Sequence, residues 1–551
     1  MENITVFGNR TWKRLFAFTS LTIMLLAACG GTEESVPVTV PAGAKAGDLV
    51  GMDACTYETG DVEFAAECGI LAVPENRSDP NSRLIALPVM RIAATGSNPT
   101  EPIFWLNGGP GQSNMRFSHP DDLDTLIEGH DFVMVGYRGA NGQVLLDCPE
   151  ISESLRNPPG DLLSEASLEN YGAAAAQCAQ RLQSEDVDLA GYTMTETIDD
   201  MEAARNALGY DHINLLGVSY GTRLAMIYEW MYPDILFRVV ILAVKTPGHF
   251  VWDAEVIDVQ IGDYSDLCAR DAHCRDRTNN LVETMRHLSQ EMPNRWLLAP
   301  IDSDTVKLFT FIMFQESIRP PGDPIGVYGP AAVDMWLAAA EGDASGMALA
   351  SLARNIFLPN FFTWGHLLAM GGSSGEYSDP ARDFQAEFDS PDSILGSPMS
   401  LLAWSMGKGW PANLIPEEYL QLRPTDVETL LQSGSVDFST PPLGADELMP
   451  YLGNGHRVLL EEFGHGNTFW NSQTEARTRL LTAFYDSGTV DDSLYNYQSL
   501  VFDVGGGWPG LAKTLMGIAL LVIVFLITLV LFIVWLVRRR RIRQADSRQK
   551  P

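Results

Sequence analysis

At 551 residues, 46% of them apolar, the chain can bury a large core, which excludes intrinsic disorder as a general description. It carries 70 acidic and 37 basic side chains, for a formal charge of −33. Leaving aside residues 1–28 and 538–551, 27 basic and 68 acidic side chains remain, a charge of −41 that argues against nucleic acid as a partner.

In chain order, the first segment reads as an export signal. Arg10, Lys13 and Arg14 precede the apolar run Leu15–Ala28. That run ends in Leu26-Ala27-Ala28-Cys29-Gly30, which resembles the lipobox of bacterial lipoproteins. The resemblance implies cleavage before Cys29 and a lipid on its thiol. An ordinary signal peptide cut after Ala28, or an uncleaved anchor, are the alternatives. Residues 29–48 lack periodicity and read as a tether.

Strand-like runs follow at Gly69–Val73, Leu84–Ile92, Ile103–Leu106, Phe132–Val135, Ile213–Leu216 and Val239–Val244. Several are short and apolar on both faces, as parallel strands covered by helices are. Helix-like stretches lie between them, among them Ser167–Leu182 and Thr197–Leu208, the second ending at Gly209. Alternating strands and helices predict an α/β fold with a doubly wound, mostly parallel sheet, its first part spanning 49–245. The rhythm breaks over 246–420, where Trp, Phe, Met and Pro are frequent and helix-like pieces such as Ala331–Ala340 and Gly346–Ile356 occur. This reads as a large, mainly helical cap insertion. The strand pattern resumes at Val427–Leu431 and Val458–Leu460, completing the core over 421–490, with a linker at 491–513.

Thr514–Val537 is 24 residues without a charge, enough to cross a hydrocarbon core of ~30 Å. Arg538, Arg539, Arg540, Arg541 and Arg543 follow within a basic tail, 538–551. The positive-inside rule puts that tail in the cytoplasm and the body outside it. Besides Cys29 there are Cys55, Cys68, Cys148, Cys178, Cys268 and Cys274, an even set that suggests disulfides in an exported chain. Proximity favours Cys55–Cys68, Cys148–Cys178 and Cys268–Cys274, although sequence alone leaves the connectivity open. There is no CxxC, no zinc-ligand spacing and no glycine-rich nucleotide loop, so neither metal nor cofactor is implied.

The chemistry concentrates in three places. Ile213–Leu216 runs into Gly217-Val218-Ser219-Tyr220-Gly221 and then the helix-like Thr222–Met231, the pattern of a nucleophile elbow with Ser219 exposed on a strained turn. A serine needs a base and a group that orients the base, in the chain order Ser, Asp or Glu, His. Asp437 lies just beyond the strand Val427–Leu431 and His465 just beyond Val458–Leu460, both at the edge where sites of such sheets collect. Asp426 and His456 fall at the opposite edge, and Asp446 lies further on, near a helix start. An oxyanion hole also needs two backbone donors. The amide of Tyr220 is one candidate. Asn107-Gly108-Gly109-Pro110-Gly111-Gln112-Ser113 supplies the other, Gly109 with Gly108 as its rival.

Together, Asn107–Ser113, Tyr137-Arg138-Gly139 followed by Cys148, the run Ile198–Tyr210, the run Ile213–Ala225, the Cys268/Cys274 pair and the Asp437 and His465 segments resemble the proline iminopeptidase and tripeptidyl-aminopeptidase branch of α/β hydrolases. The match covers about 50–245 and 420–485. It implies release of residues from peptide N-termini through an acyl-enzyme, with acidic cap residues holding the free amine. Three departures concern the surroundings of the triad: Asn107 stands where the family often has His, Gly136-Tyr137-Arg138-Gly139 lacks the family's aspartate, and Leu242-Ala243-Val244 replaces Leu-Asp-Gly. The residues leave three functions open: an extracytoplasmic aminopeptidase, a carboxylesterase with the same triad, and a catalytically silent membrane-held binding protein. The expected partners are a peptide or ester substrate and the membrane.

Overall fold

In the computed structural model, which describes residues 38–320, 323, 325–466 and 472–548, nine strands form one sheet. The export signal, Cys29 and the first part of the tether lie outside the described residues. In chain order the strands are β1 (Leu49–Thr59), β2 (Val62–Pro74), β3 (Leu84–Ile92), β4 (Thr100–Leu106), β5 (His130–Val135), β6 (Ile213–Val218), β7 (Leu236–Leu242), β8 (Glu428–Gly434) and β9 (Gly455–Leu460). Their spatial order is β1-β2-β3-β5-β4-β6-β7-β8-β9. The pairs from β1 to β5 are antiparallel, and those from β5 onward are parallel.

Alternation explains why the parallel strands sit in the middle. In β4, Phe104 and Leu106 join one apolar cluster while Ile103 and Trp105 join another. In β7, Val239 and Ile241 split from Val240 and Leu242 in the same way. Both faces are therefore covered, and both contribute burial at roughly 25 cal/mol per Å² of apolar surface. The helix Thr474–Ser487 covers one face through Leu480, Leu481 and Phe484, while the helices Glu165–Ser184 and Met194–Leu208 supply the other.

The observed elements differ from the sequence reading in three informative ways. β1, which no run in the sequence singled out, is the edge strand of a hairpin with β2, and most of its residues face solvent on at least one side. The helix expected from Thr197 begins at Met194, because the Thr193 hydroxyl accepts the N–H of Glu196 and caps it. The strand expected to run to Val244 stops at Leu242, since Ala243 takes a φ of 60° and turns the chain aside.

Between β7 and β8 the chain is mainly helical, from Ala254–Arg270 to Pro398–Gly407, with one two-stranded hairpin at Arg295–Trp296 and Ala299–Pro300. A final helix, Gly507–Arg548, starts seven residues before the expected span and runs on through the arginines. It is long and apolar enough to cross a membrane. Its first turns are docked: Trp508 is buried, stacks edge-on against Phe309 at 4.8 Å and donates to Gly326 O at 2.9 Å, while Lys513 pairs with Asp343.

Three disulfides join Cys55 to Cys68, Cys148 to Cys178 and Cys268 to Cys274, the pairs favoured by proximity. Cys148–Cys178 closes a separation of 30 residues and ties the loop after β5 to the helix Glu165–Ser184. Removing a bridge of that span frees unfolded-chain entropy worth about 3–4 kcal/mol. The Cys148→Ala/Cys178→Ala variant is expected to lose about that much in denaturant unfolding, and an unchanged midpoint would rule out this role.

Candidate active site

The elbow is built by close backbone contact. β6 delivers Ser219 at φ 53°, ψ −120°, and the helix Tyr220–Met231 leaves at once. Such a conformation costs a non-glycine residue about 1–3 kcal/mol and persists only where surrounding packing dictates it. A Cβ on Gly221 would sit 2.0 Å from Leu106 O, so only glycine lets the helix lie against β4. Ser219 N–H donates to Leu242 O at 2.9 Å, fixing the turn to the end of β7.

The loop after β4 lies against the elbow. A Cβ on Gly108 would stand 2.9 Å from Ser219 Cβ. Asn107 organises this loop: its Oδ1 accepts Gly108 N–H at 2.8 Å, and its Nδ2 donates to Ser113 O at 2.7 Å. Gly108 N–H is therefore engaged, whereas among the described residues no acceptor takes Gly109 N–H. That difference favours Gly109, which lines the same cavity as Ser219 and Tyr220.

Asp437 and His465 come together from the loops after β8 and β9. His465 Nδ1 lies 2.9 Å from Asp437 Oδ2 and 3.1 Å from Oδ1. Asp437 is fully buried and also accepts Ser439 N–H at 2.8 Å, Thr440 N–H at 2.9 Å and the Thr440 hydroxyl at 2.7 Å. These donors hold the side chain rigidly in one orientation. His465 and Ser219 face one cavity of about 200 Å³ without a direct hydrogen bond between them. The discarded candidates lie elsewhere: Asp446 pairs with Arg457 on the surface, and His456 approaches Glu428 at 3.9 Å at the start of β9.

Several residues of this site left no mark in the sequence reading. His366, on the insertion helix Trp364–Ser373, is buried, and its Nδ1 accepts Gly111 N–H at 2.7 Å. Burial lowers its pKa to about 3, so it stays neutral and can accept. Thr363 N–H donates to Gly111 O at 3.0 Å, and Gln112 donates to Phe361 O at 3.0 Å. On the other side, His465 N–H donates to Gln315 O, and Ser317 donates to Glu462 O at 2.7 Å. The insertion thus braces both loops of the site. Lys245 and Trp252 line the cavity as well, and Glu376 lies partly buried near Lys245.

The motif residues outside the site are structural. Arg138 is fully buried and forks onto Asp200 at 2.6 and 2.7 Å, while its Nη1 donates to Glu75 O. Tyr137 donates to Asn107 O at 3.1 Å, bringing the departed segment into the loop's support.

With this arrangement in view, residues 101–261 match the family described as the alpha/beta hydrolase fold. The chain has the alpha/beta hydrolase fold. Over 192 residues this hydrolase is 29% identical to a tripeptidyl aminopeptidase of Streptomyces coelicolor, a match covering 33% of this chain and 36% of that protein. Over 225 residues it is 28% identical to serine protease Hip1 of Mycobacterium tuberculosis, covering 38% and 42%. The matched region spans little more than a third of the length of these curated relatives. A solved serine hydrolase from Cycloclasticus zankles aligns at 12% identity with a TM-score of 0.35, over 79% of this chain and 98% of that one, a likeness too loose to bear on function.

The tight seat of Gly108 yields a test. In Gly108→Ala the new methyl pushes on Ser219 Cβ, and a displacement of about 1 Å at a reacting atom costs on the order of 100-fold in rate. Labelling by a fluorophosphonate probe should slow by that order without a matching loss in thermal melting. Labelling at the wild-type rate would show that the two loops are not in this contact.

Proposed function

We propose that this hydrolase works through an acyl-enzyme on Ser219, with peptides whose N-terminal residues it releases as the first substrate class. Ser219 Oγ attacks the carbonyl while His465 takes its proton and later returns one to the leaving group. Asp437 holds the His465 tautomer, and the amides of Gly109 and Tyr220 receive the oxyanion. The observation that carries this reading is the buried Asp437, 2.9 Å from His465, facing Ser219 across one cavity. The peptide preference draws on the likeness to a tripeptidyl aminopeptidase.

The insertion between β7 and β8 acts as a cap in this reading, since it lines much of the cavity through Ile312, Leu358, Phe362 and Met399. The apolar helix anchors the body outside the cytoplasm, with the arginines after Val537 on the inner side. Three disulfides suit that compartment. A lipid on Cys29 would add a second anchor at the other end of the chain.

A second reading, a carboxylesterase with the same triad, has one observation in its favour. Among the described residues lining the cavity there is no carboxylate to hold a free amine. A panel of aminoacyl and tripeptidyl anilides set against simple esters separates the two. Turnover of anilides supports the aminopeptidase, whereas ester turnover without any anilide turnover would remove it. Ser219→Ala should abolish fluorophosphonate labelling and all turnover. Asp437→Asn should lower kcat by about 10⁴-fold with the fold intact. A folded wild type that takes no label would leave the third possibility, a silent binding protein.

A further inference from the structure

Lys245 enters the cavity because of the turn at Ala243. With β7 ended at Leu242, the chain bends back and Lys245 N–H donates to Thr222 Oγ1 at 2.8 Å, in the first turn of the elbow helix. The lysine backbone is thus tied to the element that carries Ser219. Lys245 is only 6% exposed and lines the same cavity as Ser219 and His465. Its ammonium lies 3.9 Å above the ring of Trp252, which is itself held by an Nε1–H bond to Ser439 O at 2.7 Å.

Glu376, Asp437 and Asp253 act on this ammonium through space, but each makes its close contacts with other groups. Glu376 accepts the N–H groups of Gly248, Phe250 and Val251. Asp437 is taken by Ser439, Thr440 and His465, and Asp253 pairs with Arg382 at 2.7 Å. Among the described residues lining the cavity, none carries a carboxylate. Burial lowers the Lys245 pKa to about 8, which still leaves it largely protonated at neutral pH. A buried ammonium with no carboxylate in direct contact is costly to keep. In a ligand cavity that direct partner is one that the ligand can bring.

We propose that Lys245 is a specificity-determining residue that receives a carboxylate carried by the substrate beside its scissile acyl bond. The inference rests on the reading of Ser219 as the nucleophile and narrows the substrate class to acyl compounds bearing an acid. The salt link forms on binding, and the acyl chemistry at Ser219 is unchanged by it. Trp252 beneath the ammonium and the apolar wall of Phe250, Tyr377 and Met399 keep water from weakening it.

Two matched substrate pairs test this on the purified full-length chain. On the acyl side, the p-nitrophenyl half-ester of adipic acid is compared with p-nitrophenyl hexanoate. On the leaving side, the hexanoyl ester of 3-hydroxybenzoic acid is compared with that of its methyl ester. The acid should be preferred in one of the pairs by about 10- to 100-fold in kcat/KM, the range of a charge-assisted hydrogen bond, with the gain in KM. In Lys245→Met that ratio should fall to near one, and Lys245→Arg should retain part of it. Fluorophosphonate labelling and circular dichroism confirm that each variant is folded. No acid preference in the wild type, or the same ratio in Lys245→Met, overturns the proposal. Absence of both turnover and labelling in the wild type would instead overturn the reading of Ser219.

Discussion

The site depends on one close approach, that of the elbow helix to β4. Gly221 brings its backbone so near Leu106 O that no side chain fits between them. This contact forces the chain to turn within a single residue, and Ser219 takes a φ of 53° as a result. The strain is offset by the sheet: Ser219 N–H is bonded to the end of β7, and β4 pairs with β6 along the line from Ile103 to Leu106. Because β4 and β6 are neighbours, the loop that follows β4 meets the loop that follows β6. The glycines after Asn107 and the elbow serine are therefore adjacent through strand order.

The insertion does more than cover this edge. His366 and Thr363 hold Gly111, and Gln315 and Ser317 hold the turn that carries His465. The loops on the two sides of the cavity are thus braced by segments more than a hundred residues away along the chain from the loop that each one holds. The same insertion receives Trp508 and Lys513 at the root of the apolar helix. Movement of the insertion against the sheet would be felt at once by both loops, since their backbone bonds end on it.

Charge is distributed unevenly between outside and inside. The body beyond the two terminal segments carries −41, yet the cavity presents an ammonium whose neighbouring acids already have partners. A cation kept in this way contributes little to folding and is costly if nothing answers it. Its position follows from the same end of β7 that fixes Ser219, so a charged substrate group and the nucleophile would be held by one rigid piece of backbone.

Much of this was legible along the chain. Ser219, Asp437 and His465 could be picked out because each follows a short apolar strand, and period-two alternation with bounding glycines marks such strands without knowledge of their neighbours. The disulfide pairs were favoured by their short separations, which ease closure, but their connectivity needed the folded chain. Other features required the folded chain. β1 escaped notice because an edge strand needs no continuous apolar face. Ala243, Lys245 and His366 carry no motif: their roles arise from a single left-handed residue and from contacts across more than 100 positions. Sequence by itself determined the alternation of strands and helices and the placing of Ser219, Asp437 and His465 just beyond three of the strands, since local periodicity and glycine spacing act within a few residues. Only the tertiary structure decided what surrounds Ser219, because burial, ion pairing and the seating of Lys245 in the cavity are properties of groups that meet in space.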